Sequence, residues 1–567
     1  MQWLAWAIAI LAVGAVGGCV IVKDATARFI GVCGCLFGSA AGVYGAALCL
    51  LDRLHESRLT AWNVPFGSFN LGLDSLGALF LIPTLVVGAM AGLAAFRPQP
   101  GDYAANHSRE YWLFLNLLLA AVVLLILARN AVLFLFAWGV MAVASFLMAE
   151  GGQREPDARS CWRHIATSHF DVVCLFAMFA LLGADSERLD FNSLKASGGA
   201  AAAVFILAFV GFGGKIGLFP LHFGYAENHS RQPGHVGAVL SGVVGNMALY
   251  GFLRTLDILS AGTPPPLWWG FLLAASGLAA VLLGAVRSLA SRDLARLIAW
   301  SSVENNGLMA TGVALGLLGA SAGDNLLSFL GFSAAMLHMA NHSVAKGILF
   351  LISASIYAKS GTRMLGYMGG LAKVLPVAAA LFLVGGLGTA AMPPLNGFAG
   401  GFLLLRALYG GMASSGVANG ALFLAAMAVL VAAFCLAAVA LAKAFSLAFL
   451  GSPRLAASYP AGRERPGQVL PAAVLAVAAV VMAAASPQLL DHIRPTVEKF
   501  LLGWRPPGDV SLAELRTQYG FSSLLSAAAL GTGALLVVLA AVWAARRLIG
   551  GSGTSLAFRD EAGEGKP

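Results

Sequence analysis

Charge is what this sequence has least of. Asp, Glu, Lys and Arg together make up 11% of its 567 residues, against 59% apolar ones, and mean hydropathy is +0.82. Soluble domains carry about a quarter charged residues, so a water-soluble globule is excluded. No stretch is polar for long enough to form a separate soluble catalytic domain. Cysteine is scarce as well: Cys19, Cys33, Cys35, Cys49, Cys161, Cys174 and Cys435 all fall in apolar runs and none forms a Cys-x-x-Cys pair. That leaves no iron–sulfur cluster of the usual spacing. The run from Gly211 to Gly217 fits neither the dinucleotide nor the phosphate-binding glycine pattern, and no His-Glu-x-x-His or nucleophile elbow occurs. No cofactor, metal or catalytic residue is therefore expected on this chain. The net charge of +9 is dispersed over short loops and reads as a topology signal, so no nucleic-acid partner is expected.

What is present is a succession of long apolar windows, each able to cross a bilayer as a helix of about 20 residues. They lie near 2–22, 28–51, 74–96, 111–128, 131–149, 160–183, 201–219, 235–260, 267–287, 294–317, 326–357, 374–410 with a break, 420–449, 468–486 and 521–546. The expected fold is all-α, a polytopic bundle of 14 or 15 helices. The first 22 residues lack a basic leader and an obvious cleavage site and read as the first span. Arginine and lysine are more frequent in the loops that are cytoplasmic if the N-terminus is outside, which places the C-terminus inside. The 487–520 stretch is the longest polar connection and reads either as an amphipathic surface helix or as a solvated linker. The tail 551–567 is rich in glycine and charge and reads as disordered.

Two windows are interrupted. Gly213 to His222 holds Lys215 and then Pro220, and Gly385 to Gly401 holds Met392-Pro393-Pro394-Leu395-Asn396-Gly397. A proline frees a carbonyl, which is tolerated at membrane depth only where backbone is buried or lines a cavity. Paired breaks in two successive sets of helices point to an inverted-repeat transporter. The expected division is 1–110 N-terminal helices, 111–260 first repeat, 267–449 second repeat, 450–550 C-terminal helices with a polar loop, and the tail.

Ionisable residues in oil cost roughly 2.5–3.5 kcal/mol each on insertion scales and usually face a wet interior that serves transport. Lys215 is the first. His338, His342 and Lys346 are spaced i, i+4, i+8 on one helix face, which suits a proton relay or a polar stripe that binds neighbouring helices. Lys443 lies deep in the 420–449 window. Glu304, near the start of another, is either a cap-like interfacial carboxylate or functional. Asp171 lies inside the 160–183 window, and Asp74 reads as an N-terminal cap. Arg254, Arg287, Arg292 and Arg296 mark span ends and read as interfacial anchors. His222, Glu227, His229 and His235 flank the first break and form either a proton entrance or a polar loop.

Gly213-Gly-Lys-Ile-Gly-Leu-Phe-Pro-Leu-His222, Asp293-Leu-Ala-Arg-Leu-Ile-Ala-Trp-Ser-Ser-Val-Glu-Asn305, His338-Met-Ala-Asn-His-Ser-Val-Ala-Lys-Gly-Ile-Leu-Phe350 and Pro393-Pro-Leu-Asn-Gly-Phe398 resemble the antiporter-like membrane subunits of respiratory NADH dehydrogenase and its relatives. Pro266-Leu-Trp-Trp-Gly270 and the segment from Lys443 to Arg454 look most like the corresponding membrane components of hydrogenase-4 and formate hydrogenlyase. The resemblance covers roughly residues 70 to 455. It implies a bundle in a bacterial inner membrane that moves protons inside a larger redox-driven complex, with further membrane and peripheral subunits as partners and no redox centre of its own. It also implies that Lys215 matches the family's central lysine, that His338, His342 and Lys346 match its polar axis, and that Lys443 matches its lysine before the Phe-Leu-Gly segment. The expected proton pathway is thus Lys215, His222, His338, His342, Lys346, Lys443, Glu304 and Asp171.

The chain departs from the family pattern in three places. Gly139 stands where a carboxylate usually pairs with the central lysine, Asn246 where many members have a second lysine, and Gly400-Gly401 where an ionisable residue follows Asn-Gly-Phe. Either Asp171 or Glu227 then serves as counter-ion to Lys215, or the chain is a non-pumping structural paralogue. A multi-subunit cation/proton antiporter and the membrane partner of an inorganic-carbon uptake system are the other readings.

Overall fold

The computed structural model describes residues 1–51, 57–60, 67–97, 107–151, 158–184, 186–260, 263–414, 417–454, 464 and 466–504. The expected window at 521–546 and the tail lie outside these. Within them the chain is helical apart from a two-stranded antiparallel pairing of Ser57–Thr60 with Phe69–Gly72. Helix is what oil demands, because each backbone polar group must be satisfied within its own segment.

The helices are α1 (Gln2–Val20), α2 (Asp24–Leu50), α3 (Ser75–Ala95), α4 (Ser108–Leu127), α5 (Ala131–Glu150), α6 (Ala158–Leu182), α7 (Gly198–Ile216), the short α8 (Tyr225–Arg231), α9 (Gly234–Leu259), α10 (Leu267–Ala290), α11 (Leu294–Ala322), α12 (Asn325–Ser360), α13 (Pro376–Thr389), α14 (Gly397–Ser414), α15 (Val417–Phe449), α16 (Pro466–Ala484) and α17 (Ser486–Gly503). Twelve of them are long and apolar enough to span a membrane. Helix α11 is not among the twelve. It runs 29 residues through the interior with polar residues along its length.

Local chemistry sets the ends. Asp74, Asn130, Asp293 and Asp324 accept from the backbone N–H of Gly77, Val132, Arg296 and Leu327, each within 3.0 Å, as N-caps do. Gly217, Gly323 and Gly361 close α7, α11 and α12 in the left-handed conformation.

Burial sorts the helices. In α9 the spanning window is 100% buried and in α12 94%, whereas α15 is 17% buried. The centre is therefore α9, α11 and α12, the helices that carry the polar residues, and α1, α6, α15 and α16 present apolar faces to lipid or partners. α9 contains a π-turn at Leu240–Val244, a feature frequent at functional sites.

Two expectations change here. The first part of the 487–520 connection is no linker: 486–503 is helix α17, whose Leu490, Ile493, Val497, Phe500 and Leu501 are buried. Phe500 stacks on Phe332 of α12 at 5.2 Å and Trp504 meets Trp269 of α10 at 6.2 Å. The spacing of its apolar residues gives it one oily face, and that face covers the ends of the bundle. Arg254 is not an interfacial anchor. It is 5% exposed and donates to both carboxylate oxygens of Asp74 at 2.7 and 2.8 Å and to Asp257 at 3.0 Å. Arg129 reaches Asp74 at 3.1 Å and Lys499 of α17 reaches Asp257 at 2.8 Å. A charge that cannot reach water is kept by such pairing, and this network clasps α3, α9 and α17 at one end of the bundle.

Candidate functional site

The first break does what its residues dictate. α7 stops at Ile216, Gly217 takes φ 84°, and irregular backbone runs to Gly224 before α8 begins. Lys215 lies in the last turn of α7 and faces a cavity of about 410 Å³ whose wall includes Asp171, His164, Tyr225, Asn228 and His229. Asp171 of α6 is 5% exposed. Gly214 brings it close, since a Cβ there would stand 2.7 Å from Asp171 Oδ1. Asp171 and Lys215 form an electrostatic pair.

Glu227, the other candidate counter-ion, is engaged elsewhere, with Arg163 at 3.2 Å and Arg296 at 3.5 Å. His222 is half-buried, stacked between Phe219 and Phe223 with its ring centre 6.0 Å from that of Trp300. At the side of the cavity His164 meets Glu150 at 3.2 Å.

The second group lies on α11 and α12. His338, His342 and Lys346 are all buried on α12. Lys346 Nζ donates to the Ile298 carbonyl at 3.1 Å and to Ser301 Oγ, and its charge is answered by Glu304. Of the two readings left open for Glu304, the interfacial cap does not hold: it is 1% exposed, well inside α11. His338 Nε2 pairs with Asn305 Oδ1 at 2.9 Å. Both ring nitrogens of His342, both oxygens of Glu304 and His338 Nδ1 are buried without a protein hydrogen-bond partner. Buried polar atoms of this kind are met by ordered water in folded proteins.

Between the two groups the side chains are polar. Asn306 donates to Tyr225 Oη at 3.2 Å and to the carbonyl of Ile216, the last residue of α7. His229 stacks on Tyr225 at 4.0 Å. Ser241 of the π-turn meets Ser302 at 3.0 Å, one residue from the Ser301 that accepts from Lys346. Asn246, at the second lysine's place, donates to Gly242 O at 2.8 Å and to Ser343 Oγ at 2.5 Å. Tyr225, Ser241, Ser302 and Asn306 went unread in the sequence, because hydroxyls and amides in apolar runs carry no signal until a partner helix faces them.

At the second break α13 ends at Thr389 and α14 begins at Gly397, with Ala391 at φ 51° between them. Asn341 donates to the Asn396 carbonyl at 2.7 Å and Asn396 returns a bond to the Asn341 carbonyl at 3.3 Å. Gly400 lies against His338, where a Cβ would stand 2.8 Å from its Nδ1, so the neighbour on that side offers no ionisable group. A Cβ on Gly139 would meet nothing within 4 Å.

Lys443 is not deep in its span. It lies in the last two turns of α15 and donates to the carbonyls of Leu289 and Ser291 at 2.6 and 2.8 Å, satisfying orphan acceptors where α10 ends. It is held there and not on the His338–Lys346 face.

Comparison with known proteins gives the family. The family described as NADH:quinone oxidoreductase/Mrp antiporter, TM, matches residues 128–433, more than half of the chain. Hydrogenase-4 component B of Escherichia coli is 35% identical over 74% of this chain and 63% of its own length. Formate hydrogenlyase subunit 3 of the same organism is 29% identical over 68% and 62%. The chain thus spans about three-fifths of the length of these relatives. Among solved structures, respiratory complex I from Thermus thermophilus superimposes with a TM-score of 0.75 at 21% identity, covering 89% of this chain and 100% of the matched one. The Mrp complex from Dietzia gives 0.71 at 19% identity, over 93% and 100%. These two share the fold, the sequence match spans the first break, the buried histidines and the second break, and the chain belongs to the family of NADH:quinone oxidoreductase/Mrp antiporter membrane subunits.

Proposed function

We propose that the chain is the proton-translocating membrane subunit of a hydrogenase-4- or formate-hydrogenlyase-like complex in a bacterial inner membrane, with its N-terminus outside. Redox chemistry belongs to partner subunits. The observation that carries the reading is the succession of polar side chains from the Asp171–Lys215 pair through Tyr225, Asn306, Ser241 and Ser302 to Lys346, Glu304 and His338. Alternating ionisable groups of opposite charge let a proton gained at one pair shift the charge felt at the next. The unpartnered nitrogens of His342 lie within that route, where water completes a wire.

Asp171 takes the counter-ion role that Gly139 cannot. A second reading, a structural paralogue that no longer conducts, is favoured by Gly400 beside His338, since the route meets no ionisable group across that contact. Lys215→Ala, assembled into its complex and assayed for redox-coupled proton uptake in vesicles, separates the two. Uptake is lost if this chain conducts and unchanged if it is a scaffold.

A further inference from the structure

A second cavity, about 350 Å³, opens between the end of α10 and the start of α11 and is lined by Arg287, Arg292, Arg296 and Trp300. Its floor is fixed by two backbone hydrogen bonds of 2.9 Å, Leu294 N–H to Arg363 O and Leu365 N–H to Arg292 O. The Arg287 guanidinium lies 5.8 Å from the centre of the Trp300 ring. Of the three arginines only Arg296 has a carboxylate partner among the described residues, Glu227 at 3.5 Å. The Asp293 side chain is engaged by the Arg296 backbone N–H at 2.8 Å. Arg287 and Arg292 form no ion pair among the described residues, and Lys443 lies close enough to Arg292 to be repelled by it. Asp293 also lines the cavity and Glu227 answers Arg296, so the three arginines there outnumber the two carboxylates, and Arg287 and Arg292 are the two without a carboxylate partner among the described residues.

Ordinary interfacial anchors point separately to headgroups. These arginines converge on one cavity instead, beside a tryptophan of the kind found at membrane interfaces. Leu282 and Val286, exposed at 41% and 47%, form an apolar track on the stretch of the same helix just before Arg287. A soluble anion has no use for that track, and an acidic protein segment would leave it bare. We infer that the cavity holds the phosphate of an anionic phospholipid from the leaflet on the basic side of the bundle, with Arg287 and Arg292 taking the phosphate oxygens and an acyl chain along Leu282 and Val286. Guanidinium forks suit phosphate oxygens, and basic pockets between helices on the cytoplasmic side suit anionic headgroups. The site stands independently of whether the chain conducts protons.

The test uses the full chain, stripped of lipid in detergent and placed in nanodiscs of phosphatidylcholine with or without phosphatidylglycerol, the bound lipid being counted by native mass spectrometry after release. The chain should retain phosphatidylglycerol and not phosphatidylcholine. The double variant Arg287→Gln/Arg292→Gln should bind phosphatidylglycerol about thirtyfold more weakly, since each basic residue near an anionic surface is worth about fivefold. Arg494→Gln, at the opposite end of the bundle, should bind like the unaltered chain. Equal retention by the double variant with its helix content intact overturns the inference. So does displacement of the lipid by millimolar inorganic phosphate, which makes this a free-anion site. Absence of phosphatidylglycerol from the unaltered chain also overturns it.

Discussion

A lysine half-buried in the last turn of a membrane helix keeps its charge best when a carboxylate answers it, and Asp171 is the proposed counter-ion to Lys215. If the chain conducts as proposed, Asp171→Asn should lower redox-driven proton uptake at least about tenfold, as Lys215→Ala should, with the double variant no worse than either single one, because groups that act as a unit do not add. A pH-sensitive dye inside vesicles reads this directly. Glu304 and Lys346 make the same argument for stability. Removing one partner of a buried pair leaves an uncompensated charge that costs about 3 kcal/mol. Glu304→Gln and Lys346→Gln should each lower the melting temperature in detergent, and the double variant by less than the sum.

At the scale of elements, the two breaks and the clasp at the end of the bundle carry the architecture. Burial alone would raise the Asp74 carboxyl, but Arg254 and Arg129 beside it hold it well below the usual carboxylate range. A folded-state value below the unfolded one means that the clasp contributes fully above the ordinary carboxylate value of about 3.9 and fades only as the pH falls well below it. Asp74→Asn should accordingly cost about 1–3 kcal/mol at neutral pH, since Arg254 keeps only Asp257 as a carboxylate partner among the described residues, and the gap from the unaltered chain should narrow in acid, as thermal unfolding at several pH values would show. Helix α17 is the other tie. Phe500→Ala removes the ring stacked on Phe332 and should destabilise by about 3 kcal/mol, detected as earlier proteolysis after 486.

Over the whole molecule, the clasp of Asp74, Arg254, Asp257 and Lys499 gathers at one face, while Arg287, Arg292, Arg296 and Arg363 gather at the other. In the orientation proposed from the basic bias, the second face is the cytoplasmic one. A cysteine at Lys499 should react with a membrane-impermeant maleimide applied to whole cells, and one at Lys359 only after permeabilisation. The reverse pattern inverts the orientation.

Much of this was legible in the sequence. Length and apolarity fixed the helices, since oil leaves the backbone no alternative. Proline and glycine inside apolar runs located both breaks, and the i, i+4, i+8 spacing put His338, His342 and Lys346 on one buried face. Capping chemistry identified Asp74. What sequence could not supply was who faces whom. The choice of Asp171 over Glu227 beside Lys215, the choice between interface and interior for Glu304, Lys443 on the end of α10, Arg254 drawn inward, and the hydroxyl and amide bridge between the two groups all depend on helix pairs far apart in the chain. Periodicity is a property of one helix and reports only which face is oily. The neighbour across that face is chosen by the packing of the whole bundle, and only there do these charges find or lose their partners.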